Sequence, residues 1–219
     1  MNKKNILFLK GKDMKKLKYI NPKMFPPYLS EIRRINPKKI PISAMARIFC
    51  QHCGLWSRGI LCPPLLYQTY PQYKTIDSCR RYVDSFDTAF IYIFKNDGRK
   101  RYWLKKDQEK YDHIRIAKRM GRQLKGIEKS SVREVNKLMR RMKRVNEKNG
   151  WLVDCFISGH CDNCSRICPN RENPPCRRGG MPSMEAIGIN IHLLLENLEI
   201  SYEFPPIHYL LQVTMMLVK

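Results

Sequence analysis

Trp151-Leu152-Val153-Asp154-Cys155-Phe156-Ile157, then Ser158-Gly159-His160, then Cys161-Asp162-Asn163-Cys164-Ser165-Arg166-Ile167-Cys168-Pro169, with Cys176 after seven further residues, joins a short apolar segment directly to four thiols. The first seven residues read as a buried strand, because they are apolar and β-prone and end at a glycine turn. Four cysteines within sixteen residues are the kind of set that holds a metal in a chain without a disulfide framework. The strand therefore delivers the chain into a candidate metal loop.

The spacing C-x2-C-x3-C-x7-C, with proline directly after the third cysteine, is close to the bacterial ferredoxin run C-x2-C-x2-C-x3-C-P without matching it. Glycines flank the set at Gly159 and Gly179-Gly180, which permits tight turns and close backbone approach, so that peptide N–H groups can point at sulfur. Arg166, Arg177 and Arg178 add positive charge. Pro182-Ser183-Met184-Glu185 reads as a helix start with Ser183 at the N-cap, aiming a helix N-terminus at the thiolates. Glu185 suits the first turn of that helix better than it suits catalysis.

A second set opens earlier, with Cys50-Gln51-His52-Cys53 and then Cys62-Pro63-Pro64. Its fourth ligand is missing locally. Cys79, on a segment Ile76–Phe86 that reads as a helix, is favoured over Cys155, which lies on the buried strand and reads as a core residue. His52 reads as solvent-facing or bound to a backbone carbonyl rather than as a ligand.

Outward from these sets, Thr88–Phe94 is the clearest strand, rich in aromatic and β-branched residues and ending at Asn96-Asp97-Gly98. Two helices are expected next, about Lys106–Leu124 and from a capping box at Ser131 and Glu134 to near Gly150, as a basic two-helix segment over 104–149. A helix from Ser183 to about Leu198, with a weak point at Gly188, and two antiparallel strands, Glu199–Phe204 and Tyr209–Val218, complete the chain. Residues 1–48, broken by lysine runs and by Pro22, Pro26-Pro27, Pro37 and Pro41, read as a basic arm with little regular structure ahead of a metal-binding domain over 49–219. The expected class is α/β or α+β, a single mixed sheet with packed helices and cysteine-rich loops.

The chain has 219 residues and a formal net charge of +23, unevenly distributed. Residues 1–49 hold 13 Lys+Arg against 2 Asp+Glu, and residues 99–149 hold 19 against 6. The two cysteine-bearing stretches are nearly neutral. The basic lobes point to a polyanion, either RNA or an acidic redox protein, docked through Arg133, Lys137, Arg140, Arg141 and Arg144. No leader or membrane span is expected. The run Ile6–Leu9 is too short for a secretory core, and Tyr209–Val218 falls well below the roughly 20 residues needed to cross a bilayer. The expected location is the cytoplasm.

Cys50-x2-Cys53-x8-Cys62-Pro63-Pro64, together with Cys161-x2-Cys164-x3-Cys168-x7-Cys176-Arg177 and Pro182-Ser183-Met184-Glu185-Ala186-Ile187-Gly188-Ile189, resembles a family of uncharacterised predicted metal-binding proteins of anaerobic archaea and bacteria, over about residues 49–219. The resemblance implies metal ligands at Cys50, Cys53 and Cys62 and at Cys161, Cys164, Cys168 and Cys176. It brings no activity with it. The basic arm, the basic helical segment and Cys155 depart from the usual pattern.

Iron suits the cysteine-proline run better than zinc does, so one or two [4Fe-4S] clusters are expected, with electron, sulfur or cluster transfer to a partner. Two alternatives stand beside this. One is a zinc-stabilised nucleic-acid-binding module with Cys50, Cys53, Cys161 and Cys164 in one bridging site. The other is a cluster-dependent component of RNA modification. A nucleotide-binding glycine loop, a C-x3-C-x2-C radical motif and a Ser/His/Asp triad do not stand out in the sequence.

Overall fold

Two apolar runs of strand-forming composition pair along their whole length. Strand β2 (Thr88–Asp97) and strand β4 (Tyr209–Val218) are antiparallel, from Thr88 opposite Val218 to Asp97 opposite Tyr209. Strand β1 (Leu29–Ile35) adds to the outer side of β2, and the short β3 (Val153–Phe156) adds to the other side of β4. The order is β1-β2-β4-β3. This computed structural model describes residues 26–51, 59–97, 132–157, 161, 168, 176, 179–202 and 209–219. The architecture is α+β, one four-stranded sheet with packed helices. Its four strands are antiparallel throughout, and the one parallel pairing among the described residues is the isolated bridge of Ile157 with Ser183.

Both faces of the sheet are covered, which explains why β2 and β4 read as nearly continuous apolar runs rather than alternating ones. Phe90, Tyr92, Phe94, Met216 and Val218 face helix α4 (132–148), whose Val135, Leu138, Met139 and Met142 complete one core. Ala89, Ile91, Ile93, Val213, Met215 and Leu217 face the other layer. That layer is built from short pieces. Helices α1 (Ala44–Gln51), α2 (Leu65–Thr69) and α3 (Ile76–Asp84) come from the first half of the chain, and α5 (Ile191–Asn197) from the second. Helix α3 starts at a reciprocal cap in which Thr75 and Ser78 each accept the other's backbone N–H, at 3.0 and 2.9 Å.

The structure departs from the sequence reading in three places. Residues 29–51 hold a strand, a 3-10 turn and a helix, although the composition suggested an arm with little regular structure. On β1 the exposed Arg34 and half-buried Arg33 suit an edge strand with one wet side, and they masked its apolar positions Leu29, Ile32 and Ile35. The helix expected from Ser183 to Leu198 is two pieces. Ser183 Oγ accepts the Ala186 N–H at 3.1 Å, but the 3-10 turn Glu185–Ile187 stops at Gly188, held at φ +96°. A Cβ there would meet Ile76 Cδ1 at 2.9 Å and Ser43 O at 3.3 Å. Asn190 then caps α5 afresh, accepting the Leu193 N–H at 3.1 Å, so no long helix aims its N-terminus at the thiols. Residues 199–202 are not strand, because Glu199 and Ile200 close the end of α5 through bonds to Glu196 and Leu195 carbonyls. The partner of β4 expected there is supplied by β2 and β3. The helix expected over 106–124 and Ser131 lie outside the described residues.

Candidate metal centre

The cysteine loop is pinched at its base. Where β3 ends, Ile157 N–H donates to Pro182 O at 3.0 Å and Ile157 O accepts from Met184 N–H at 3.1 Å. The chain that leaves the sheet at Ile157 is therefore returned to it at 182–184, with Cys161 near one end of the excursion and Cys176 near the other. Both thiols reach the same point. A Cβ built on Gly180 would lie 3.1 Å from Cys176 Sγ, 3.2 Å from Cys161 Sγ and 2.5 Å from Leu61 Cδ1. No residue but glycine fits there without displacing the sulfurs. Of the three glycines expected to approach sulfur closely, Gly180 does so, Gly179 has nothing within 4 Å of its Cβ position, and Gly159 lies outside the described residues.

The first cysteine segment lies against the second. Leu61 fills the space beside Gly180, and Gly59, one turn before Cys62 (Cys62 N–H to Gly59 O, 2.9 Å), sits with its Cβ position 3.5 Å from Cys168 Cβ. Cys50, Cys161, Cys168 and Cys176 all pack, half-buried, on the core under β2 and β4. All seven described cysteines are free thiols. Cys53 and Cys164 lie outside the described residues, as do most residues between the ligands. Among the described residues no three Cys, His, Asp or Glu side chains gather in a metal-binding group. The pair at Gly180 is thus the part of a thiol site that the structure describes, and its donor chemistry fits a thiophilic metal or cluster.

Cys50 closes the last turn of α1, and one turn before it Arg47 reaches inward. Its Nη2 donates to Cys79 Sγ at 3.1 Å and to Tyr73 O at 2.7 Å, its Nη1 to Lys74 O at 3.0 Å, and its guanidinium lies 4.4 Å over the Tyr67 ring. Tyr67 in turn donates to Ala186 O at 2.9 Å. Burial pushes the Tyr67 phenol up to about 12, against the pull of Arg47 and with Cys50 and Cys79 adding to the rise. Cys79 is fully buried on α3. Burial raises its pKa, and the Arg47 charge and hydrogen bond oppose that rise. Cys155 is equally buried, but in the core beneath α4, where burial and then Asp154 drive its pKa far upward. One buried thiol has a cation in contact; the other is a small apolar residue in effect.

A second polar group adjoins the thiol side. Asp154 Oδ2 accepts from Tyr73 and Tyr82 phenols at 2.6 and 2.8 Å, and Oδ1 from Lys143 Nζ at 2.9 Å and its neighbour's Cys155 N–H at 3.0 Å. Four donors converge on this one carboxylate and satisfy it inside the fold. Burial lowers the Lys143 pKa, and the charge and hydrogen bond of Asp154, with Cys155 and Glu147, together raise it above the ordinary value. Tyr70, which directly follows α2 as its C-cap, accepts the Cys176 N–H at its hydroxyl oxygen at 3.2 Å. Arg47, Tyr70 and Asp154 were not singled out by sequence. The available signal was a lone carboxylate inside the buried run Val153–Phe156, since a charge there demands partners.

These features define an α+β protein with two thiol sets of metal-ligand type, one pressed against the other. The chain belongs to the DUF2284 family of predicted metal-binding proteins, whose family model matches residues 33–218, from β1 to the end of β4. No curated protein and no solved structure matches it. No helix among the described residues is long and apolar enough to cross a membrane.

Proposed function

We propose that this metal-binding protein is an iron-sulfur protein. One [4Fe-4S] cluster would be held by Cys161, Cys164, Cys168 and Cys176, and a second by Cys50, Cys53 and Cys62 with Cys79 as fourth ligand. The observation that carries the reading is the convergence of Cys161 and Cys176 sulfurs on Gly180, in a loop whose third cysteine precedes a proline. Bound clusters would supply one-electron chemistry, or sulfur or a cluster to pass on to a partner in the cytoplasm. The chain's own residues set the surroundings. Leu61 and the core beneath cover one side of the thiol pair, Gly180 keeps the approach open, and Tyr70 holds the Cys176 amide in place. Arg47 supplies positive charge at Cys79, which favours a thiolate there.

A zinc site shared by Cys50, Cys53, Cys161 and Cys164 is the second reading, favoured by the contact of the 59–62 turn with Cys168 and Gly180. Anaerobic purification with iron, sulfide and zinc analysis and an absorption spectrum separates the two. Iron and sulfide in equal amounts, about four or about eight per chain, are expected from cubane clusters. Colourless protein carrying zinc overturns the iron reading. Replacing Cys79 by Ser is expected to alter the spectrum of the first site and leave the second intact; an unchanged spectrum removes Cys79 from the ligand set.

A further inference from the structure

Helix α4 has two faces of opposite character. Val135, Leu138, Met139 and Met142 are buried against β2 and β4. Taken at about 100° per residue, Arg133, Lys137, Arg140, Arg141, Arg144 and Lys148 fall within an arc of about 100° directly opposite. All but the half-buried Arg140 are exposed. From Arg133 to Lys148 the stripe runs for about 22 Å at the helical rise. Residues 132–148 contain two acids, and both lie at the margins of this arc. One of them, Glu134, accepts the Tyr28 phenol at 2.6 Å. Lys143 lies off this arc and pairs with Asp154 at 2.9 Å.

We propose that this face of α4 binds the phosphate backbone of a nucleic acid without reading its bases. Like charges at i,i+4 repel one another, so this stripe works against the helix that carries it. Six cations along about 22 Å of one helix face fit a linear polyanion. Four of the six are arginines, whose planar fork matches phosphate oxygens two at a time. The helix is fixed by its apolar face and by the Lys143–Asp154 ion pair, so the row is ordered before binding. Its outer side is convex and carries no aromatic residue for stacking, which leaves phosphate contact as the mode of binding. The inference is independent of which metal the thiols hold.

The test is fluorescence anisotropy of a labelled 20-nucleotide RNA of mixed sequence with the full chain, across a salt series. Wild-type affinity is expected to fall steeply with salt, with a slope of about −0.7 in log K per phosphate neutralised on a single strand. The fourfold variant K137Q/R141Q/R144Q/K148Q is expected to bind at least about tenfold more weakly and to lose about 3 from that slope, four contacts' worth. Its metal content should be unchanged and its thermal midpoint no lower than that of wild type. The variant K12Q/K15Q/K16Q/K18Q, which removes as much charge from the N-terminal segment, is expected to retain most of the affinity. Wild-type affinity in the α4 variant, or loss confined to the N-terminal variant, overturns the proposal. So does a wild-type slope near zero, which needs no variant at all. Equal or tighter binding of poly-L-glutamate at the same charge concentration assigns the face to an acidic protein instead.

Discussion

On β2, Ala89, Ile91 and Ile93 look into one layer and Phe90, Tyr92 and Phe94 into the other, and β4 alternates in the same way. Behind the second set lies one long helix with a regular apolar stripe, and the thiol it encloses, Cys155, is fully buried in that core. Behind the first lie four short helices, three 3-10 turns near them and the ends of the cysteine loop. Short elements expose many backbone termini and side-chain caps to one another, and that is where Arg47, Tyr67, Tyr70 and the half-buried thiols meet. A long periodic helix can close a core with apolar side chains alone. Irregular backbone is what brings polar groups and sulfur to one place.

Four substitutions test that contrast, the largest expected effect first. Gly180→Ala places a methyl against Leu61 and between two sulfurs, and most of the metal bound through Cys161 and Cys176 should be lost. Gly59→Ala is the control, since its Cβ meets Cys168 Cβ at an ordinary 3.5 Å. Metal-to-protein ratios on both variants check this, and full occupancy in Gly180→Ala would sink the convergent site. Asp154→Ala strips the partner from Lys143 and from two phenols. Removing one member of a buried ion pair costs about 3–5 kcal/mol, and the partial exposure of Lys143 places the expected loss near the lower end, about 3 kcal/mol. Urea unfolding measures it, and a loss below about 1 kcal/mol, the scale of an exposed pair, means the cluster does not hold the two layers together.

Glu185 lies on the irregular side, and its Oε2 is buried without a partner. Burial raises its pKa from 4.5 to about 7, with its own backbone N–H and Ser183 opposing. The unfolded chain therefore binds fewer protons than the folded one between those values. Stability from the protonated form is full below about pH 4.5 and falls as pH rises toward 7. Glu185→Gln should consequently be more stable than wild type at pH 8, by about 1–3 kcal/mol, with no such advantage at pH 4. A pH-independent difference in melting would contradict this. Smallest of all, Cys155→Ala should cost about 1 kcal/mol and leave metal content as it was. A change in metal binding would move Cys155 from the apolar side of the comparison to the other.

Much of the sheet was legible because burial on both faces writes itself as continuous runs, at Thr88–Phe94, Trp151–Ile157 and Tyr209–Val218. Helix α4 was legible from its period, and α3 from its position before β2. Strand β1 was not, since an edge strand with arginines on its wet side looks like the lysine-rich, proline-broken sequence around it. The break at Gly188 was suspected, but its cause lies in Ser43 and Ile76, distant in sequence and touching in space.

The sequence by itself determined that two sets of closely spaced thiols exist, and that the positive charge lies elsewhere, because ligand type, spacing and charge are local properties of the chain. Only the tertiary structure decided which thiols approach one another. The meeting of Cys161 and Cys176 at Gly180 depends on the hydrogen bonds of Ile157 to 182–184, and the contrast between Cys79 and Cys155 depends on which of them Arg47 can reach. Spacing along a chain fixes how far a sulfur can travel; the packing of remote segments fixes where it stops.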